Sequence, residues 1–485
     1  MKSRAVENIL KRRIYGLGTE YSLCSVSEAG QPLLAEDAIA SLFQAATPYQ
    51  EETDLFLENG GRFRLIVRCR PKYATPECNH PLQVVLYDKA GERYLQKLAL
   101  DGEEFLKKHG NPGQIVLFKT NLGFYGPGLD VCFHDGKQYE ARFIPSIAQW
   151  APTCYENYLV DRKVSFRQIA VNLIPFLTTR QIFTGTGWIQ GVDSEIRYNL
   201  SQRASQLREE ISIVTSQQRG FLTTRDMPYA PRELYRRLQV IASEPNMSEY
   251  TSYLKIGTTA IMLQMLEENF IDRNLSLYNP IKAIRQISED ATCTQVIELE
   301  DGRKATAIEL QQEYLSMAKR YFEVREPDDV AKDILEKWEY VLTSLSIDPM
   351  QLDQKIDWVI KKRVIEDYLT EHHLSWNSPE VLRLSLQYHS LNHEEGSYYS
   401  LIQQGVCERL LTDEQIERAV SEPPQTTRAR IRGQLIQLAK SHQIMAAVNW
   451  RHIHVYQPYQ KVLDISDPFQ SEHAEAEELI RIINR

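Results

Sequence analysis

The order of apolar and polar positions divides the chain into a strand-rich first part and a helical second part. Arg13 to Ser25 carries short β-branched and aromatic runs broken by Gly16 and Gly18. Arg62 to Cys69 follows the turn-forming Asn59-Gly60-Gly61 with a strand-like pattern. Leu82 to Tyr87 reads as another strand, with Lys89-Ala90-Gly91 as its hairpin turn. Residues 121–153 gather Gly123, Gly126, Pro127 and Gly128 and read as a loop or insertion. From about residue 200 the pattern becomes helical: Ile308, Leu315, Ala318 and Phe322 recur at helical offsets, and residues 329–345, 350–370 and 378–391 look similar. Between helices, Val296 to Thr306 reads as a hairpin around a two-residue Asp301-Gly302 turn. Near the end, Thr412-Asp413-Glu414 opens a helix, Pro423-Pro424 stops it, and Thr426 or Thr427 caps the next. The expected class is α+β: a mostly antiparallel sheet with helices on one side, forming a large domain over 1–408, and a small C-terminal domain over 409–485.

Composition narrows the function classes. With 485 residues, 42% hydrophobic and 25% charged, the chain suits a globular protein with a large core, not a disordered, collagen-like or coiled-coil one. A net charge of -9 argues against a nucleic-acid-binding protein. No stretch approaches the roughly 20 apolar residues of a membrane span, and the charged N-terminus lacks an apolar signal region. The expectation is a cytoplasmic protein without membrane or nucleic-acid partners. Its 7 cysteines are scattered and form no C-x-x-C pair, so neither disulfides nor a zinc site is signalled.

Two basic clusters stand out. In PPQTTRARIRG (423–433), Arg428, Arg430 and Arg432 fall in or near the first turns of a helix, where positive charge opposes the dipole. They mark either an anion site or a solvated face paired with Asp413, Glu414, Glu417 or Glu422. Arg62, Arg64 and Arg68, with Arg70 and Lys72 nearby, mark either a phosphate or carboxylate site or a solvated sheet face. His389 and His393, with His372-His373 nearby, read as surface histidines, because a metal site needs three or four converging ligands. No G-x-S-x-G, Walker loop or H-E-x-x-H is present.

FLTTRQIFTGTG (176–187), YRRLQVIASEPNMSEYTSYLKIGTTA (235–260), NPIKAIRQIS (279–288), KIDWVIKKR (355–363), PPQTTRARIRG and DPF (467–469) together resemble the Pup–protein ligase and Pup deamidase/depupylase family. The resemblance is nearer the ligase branch of these glutamine-synthetase-like carboxylate–amine ligases. It implies a curved antiparallel sheet that cradles nucleotide, and a small C-terminal domain. It also implies chemistry in which ATP and magnesium activate the C-terminal glutamate of Pup for transfer to a substrate lysine. By the same resemblance, Arg62 and Thr75 match nucleotide-contacting positions and Trp450 matches the tryptophan that packs near the nucleotide.

The chain departs from that family at its acidic positions. The first metal-binding glutamate is Gly18, in GLGTEY, and the next is Lys72, in RPKYAT. Arg64 stands at a metal-associated tyrosine and Ile66 at the catalytic aspartate; the family's H-E-N reads Tyr155-Glu156-Asn157. A hard dication needs anionic oxygen ligands. The expectation is therefore a homologue that has lost magnesium-dependent ligation. It would bind ATP or another nucleotide without magnesium through Arg62, Arg64, Lys72, Thr75 and Trp450. Its role would be to scaffold or regulate a Pup-like modifier, an active ligase or depupylase paralogue, or the proteasome pathway. The alternative is an active ligase or depupylase whose site is rebuilt from Glu20, Glu77 and Glu156, with Asp226 available in a retained motif.

Overall fold

The computed structural model describes residues 13–27, 38, 40–42, 44, 54–66, 70–121, 131–134, 138–141, 153–192, 195–213, 219–457 and 459–484. Its centre is an eight-stranded sheet. In chain order the strands are β1 (Tyr15–Glu20), β2 (Asp54–Phe56), β3 (Arg62–Ile66), β4 (Arg70–Ala74), β5 (Cys154–Asp161), β6 (Ile211–Ser212), β7 (Leu222–Thr223) and β8 (Tyr235–Ser243). The spatial order is β6-β7-β8-β5-β1-β4-β3-β2. Every pairing is antiparallel except β6 with β7. The fold is α+β.

The two faces of this sheet have different fates, because side chains alternate along each strand. Leu17, Tyr158, Val160, Leu238 and Val240 point to one face and join the main core. That core is closed by helices α1 (Pro81–Lys108), α2 (Phe166–Thr179) and α3 (Glu249–Glu267), with Trp338 and Trp358 fully buried behind them. The opposite face carries Gly16, Gly18, Arg62, Arg64, Lys72, Tyr155, Asn157, Arg237 and Gln239, and lines a cleft.

Helix α1 corrects the reading of Leu82–Tyr87 as a strand. His80 Nδ1 accepts the Leu82 N–H at 3.0 Å and Pro81 occupies the first turn, so the apolar run enters as a helix. Gly91 is not a turn residue but a point of close approach: a Cβ there would meet the Tyr73 ring at 2.3 Å. The helices expected over 308–322 and 329–345 are Ala307–Glu323 and Asp329–Ile347. The 350–370 segment divides into a 3-10 turn, Pro349–Leu352, and the helix Asp357–Glu371. The 296–306 hairpin forms, but its turn holds three residues: Leu299 N–H bonds the Arg303 carbonyl, and Gly302 N–H bonds Leu299.

Within 121–153, strands Val131–His134 and Gln138–Ala141 pair as a hairpin, and most of the remaining segment lies outside the described residues. Toward the C-terminus, Leu411, Ile416 and Ala419 pack into the main core. A separate cluster of Ile431, Leu435, Ile453, Val455, Leu463, Ile465 and Leu479 organises the last lobe. It joins α4 (Ala429–Ser441), a three-stranded sheet and the helix Ala474–Ile483. Arg428, not a threonine, is the residue preceding α4: Thr426 Oγ1 bonds Asn79 and Thr427 Oγ1 bonds the Glu77 carbonyl. Among the described residues, no helix is long and apolar enough to cross a membrane.

Candidate functional site

The cleft lies between the polar face of the sheet and the C-terminal lobe, with an open volume of about 1080 Å³. Register explains its lining. Arg64 stands opposite Lys72 across β3 and β4, and Lys72 stands opposite Glu20 across β4 and β1. One step along, Arg62, Ala74, Gly18 and Tyr155 form the next row over four strands. Gln239 and Arg237 reach the same face from β8, opposite Asn157 and Leu159. Arg225, Pro228, Tyr229, Arg428 and Trp450 supply further walls.

At the lobe end, Trp450 packs edge-on against Phe56, with ring centroids 4.9 Å apart, and lies 6.3 Å from Tyr229. Arg62 donates its Nε–H to Asp54 at 2.6 Å, with its guanidinium 5.3 Å from the Phe56 ring. Thr75 Oγ1 accepts the Leu17 N–H at 3.1 Å, which ties the end of β4 to β1.

Arg428 and Arg432 find their anion inside the chain, a third outcome beside a ligand site and a solvated face. Both are buried, and both bind Glu77 at 2.7 Å. Burial alone would raise the Glu77 carboxyl, but Arg432 and Arg428 outweigh it and hold its pKa at about 2. Arg430 points away, 3.7 Å from Glu472.

The acidic candidates do not converge. Glu156 lies on the helical side of the sheet, because it alternates with Tyr155 and Asn157 along β5. There it is buried and paired with Arg180. Burial opposes its charge, yet Arg180 keeps its pKa below the usual value. Glu20 accepts the Thr153 N–H at 2.9 Å and lies 3.6 Å from Arg70. Asp226 pairs with Arg162 and accepts the Arg237 N–H at 3.2 Å. Among the described residues, no three His, Cys, Asp or Glu gather as a metal site. Arg68 lies outside the described residues, as does the side chain of Ile66.

Lys72 is 7% exposed, and its Nζ sits 4.0 Å from the centroid of the Tyr155 ring. Burial lowers its pKa to about 7; Glu20 partly offsets this, while Arg64, Arg62 and Arg237 add to the depression. Tyr155 occupies the space beside Gly18, where a Cβ would stand 2.4 Å from Tyr155 Cε2. A carboxylate at position 18 therefore has no room while Tyr155 keeps this place. This donor set does not fit a magnesium ion: Gly18, Arg64 and Lys72 bring no anionic oxygen to this face.

Arg237 and Tyr155 escaped the sequence reading as site residues. Alternation in the 235–240 stretch YRRLQV carried the signal for the first, since Leu238 and Val240 face the core and Arg237 and Gln239 therefore face away. The histidines need a larger correction. His389 is fully buried, its Nε2 2.6 Å from Lys361 Nζ, and His393 stacks on Tyr399 at 3.8 Å. Of that group, His372 and His373 are exposed.

A sheet whose polar face forms a cation-lined cleft under a C-terminal lobe defines the class of protein, and the comparisons with known proteins specify it. The family model described as Pup-ligase protein matches residues 13–128 and 151–454. A Pup–protein ligase of Kineococcus radiotolerans is 37% identical over 97% of this chain and 99% of its own length. One from a Nocardioides species is 38% identical over the same shares. Among solved structures, the complex between prokaryotic ubiquitin-like protein Pup and its ligase PafA has a TM-score of 0.87 and 31% identity, covering 99% of this chain and 92% of that one. PafA in complex with ADP has a TM-score of 0.79 and 30% identity, covering 93% and 94%. The chain belongs to the Pup-ligase family.

These relatives overturn the expectation of lost ligation. The charge inversion is confined to a few positions, whereas the likeness to chains named as ligases runs over nearly the whole length. A pseudoenzyme has no support among them.

Proposed function

We propose that the protein is an ATP-dependent carboxylate–amine ligase that joins the C-terminal glutamate of a Pup-like modifier to a lysine of a protein substrate. One observation carries the reading: a cation-lined cleft between sheet and lobe, in a chain similar end to end to Pup–protein ligases. The donor set suits a nucleotide. Trp450, Phe56 and Tyr229 offer aromatic surface for a base, and Arg62, Arg64, Lys72 and Arg237 offer positive charge for phosphates.

In such a reaction a glutamate carboxylate oxygen bonds to the γ-phosphorus while the bond to the bridging oxygen breaks, releasing ADP. The lysine amine then attacks the acyl carbon, loses a proton and expels phosphate, leaving the isopeptide. The cations of the cleft neutralise charge on the phosphoryl oxygens during transfer, and burial strengthens that effect. The test is incubation of the purified chain with ATP, magnesium, a glutamate-ended Pup and a lysine-bearing acceptor. Mass spectrometry should find a conjugate lighter than its two parts by one water, with one ADP released per bond. Nucleotide binding without any conjugate would refute the ligase reading.

A further inference from the structure

We infer that the Lys72 ammonium, held over the Tyr155 ring in the space Gly18 leaves, is a built-in cation for the terminal phosphates of the nucleotide, so that this cleft takes the nucleotide as a free polyanion. The inference rests on the nucleotide reading above and adds how the phosphates are held.

Three neighbouring positions interlock. Gly18 stands opposite Tyr155 in the sheet, and only a residue without a Cβ leaves room for that ring. The ring lies 4.0 Å from the Lys72 ammonium, a distance at which the aromatic face attracts the cation. Lys72 in turn stands opposite Arg64. Like charges facing each other across a strand pair repel. A buried charge also costs free energy unless it is paired.

Among the described residues, neither Lys72 nor Arg64 has an ion pair, and Arg237 Nε is buried without a hydrogen-bond acceptor. Glu20, the carboxylate across from Lys72, is already engaged by the Thr153 N–H and Arg70. Among the described residues, Lys72 and Arg64 are thus without an ion pair of their own, and the cleft has volume for an anion. A single carboxylate would balance one of these three charges, whereas a di- or triphosphate matches the set. The same cluster repels a dication, the opposite of what a magnesium–nucleotide complex requires.

The experiment is calorimetric titration of ADP into the full-length protein, once with magnesium and once with excess EDTA. The Kd should agree within about threefold in the two buffers, since the cations of the chain carry the phosphates. Lys72→Met should weaken binding in EDTA by about tenfold or more, and Lys72→Arg should restore most of it. Loss of about tenfold or more in wild-type affinity on chelation would overturn the inference and leave the ligase proposal standing. So would a Lys72→Met protein that binds ADP in EDTA as tightly as wild type. Absence of ADP binding in both buffers would overturn the inference together with the nucleotide reading. The wild-type comparison needs no variant to fold.

Discussion

The two ends of the cleft use the same kinds of residue to opposite effect. At the lobe end, Arg428 and Arg432 converge on Glu77, so the charges are satisfied within the protein. At the sheet end, Arg64 and Lys72 face each other without an ion pair of their own among the described residues, and the Lys72 ammonium rests on the π-face of Tyr155. A buried guanidinium pair with its carboxylate is a fastener. A half-buried guanidinium facing a buried ammonium leaves positive charge turned toward the cleft. Basic residues in sequence therefore reveal little until the location of the nearest carboxylate is known.

The largest effect should come from removing the fastener's anion. Glu77→Ala leaves two buried arginines unpaired and should destabilise the protein by about 3–5 kcal/mol. Chemical denaturation reads this, with Arg430→Ala as the control. Arg430 lies at the periphery, 3.7 Å from an exposed Glu472, and its loss should cost about 1 kcal/mol or less. Equal losses in the two variants would erase the distinction between the buried lock and its exposed neighbour.

Acid should produce the next effect. The Glu77 pKa is depressed from its ordinary 4.5 to about 2. Its contribution to stability is thus fully present above about pH 4.5 and is lost as pH falls toward 2, a total on the order of 3 kcal/mol. Denaturation midpoints measured between these limits should fall for the wild type. The decline should be shallower in Glu77→Gln. Parallel slopes would remove Glu77 as the source.

The smallest effect tests the sheet end. Gly18→Ala forces the Tyr155 ring from its place, because the added methyl would lie 2.4 Å from Cε2. The strain should cost about 1–3 kcal/mol and should largely vanish in a Gly18→Ala, Tyr155→Ala protein. Additive losses in the thermal or denaturant midpoints would show that the two residues do not compete for one space.

Much of the sheet end was legible in sequence. Strand alternation already put Arg62 and Arg64 on one face of a strand, and both line the cleft, Arg64 opposite Lys72. The same alternation, applied to Tyr155-Glu156-Asn157, separates Glu156 from the cleft face. The lobe end was not legible, because Glu77 meets its arginines across more than 350 residues of chain and no local pattern reports such a meeting. Helix α1 was misread for a related reason. Leu82–Tyr87 is locally strand-like, and Gly91, which imitates a turn residue, is a glycine because the helix passes close to Tyr73 on a neighbouring strand. The functional expectation failed differently: three positions were weighed above the likeness of the whole chain.

Glu77 also follows Thr75 by only two residues, and its own carbonyl receives the Thr427 hydroxyl. The terminal lobe is thereby wired to the short connector between β4 and α1, and through Thr75 to the backbone of Leu17. The lobe cannot shift against the sheet without either breaking the Thr427–Glu77 bond or carrying the connector, and with it one wall of the cleft, along.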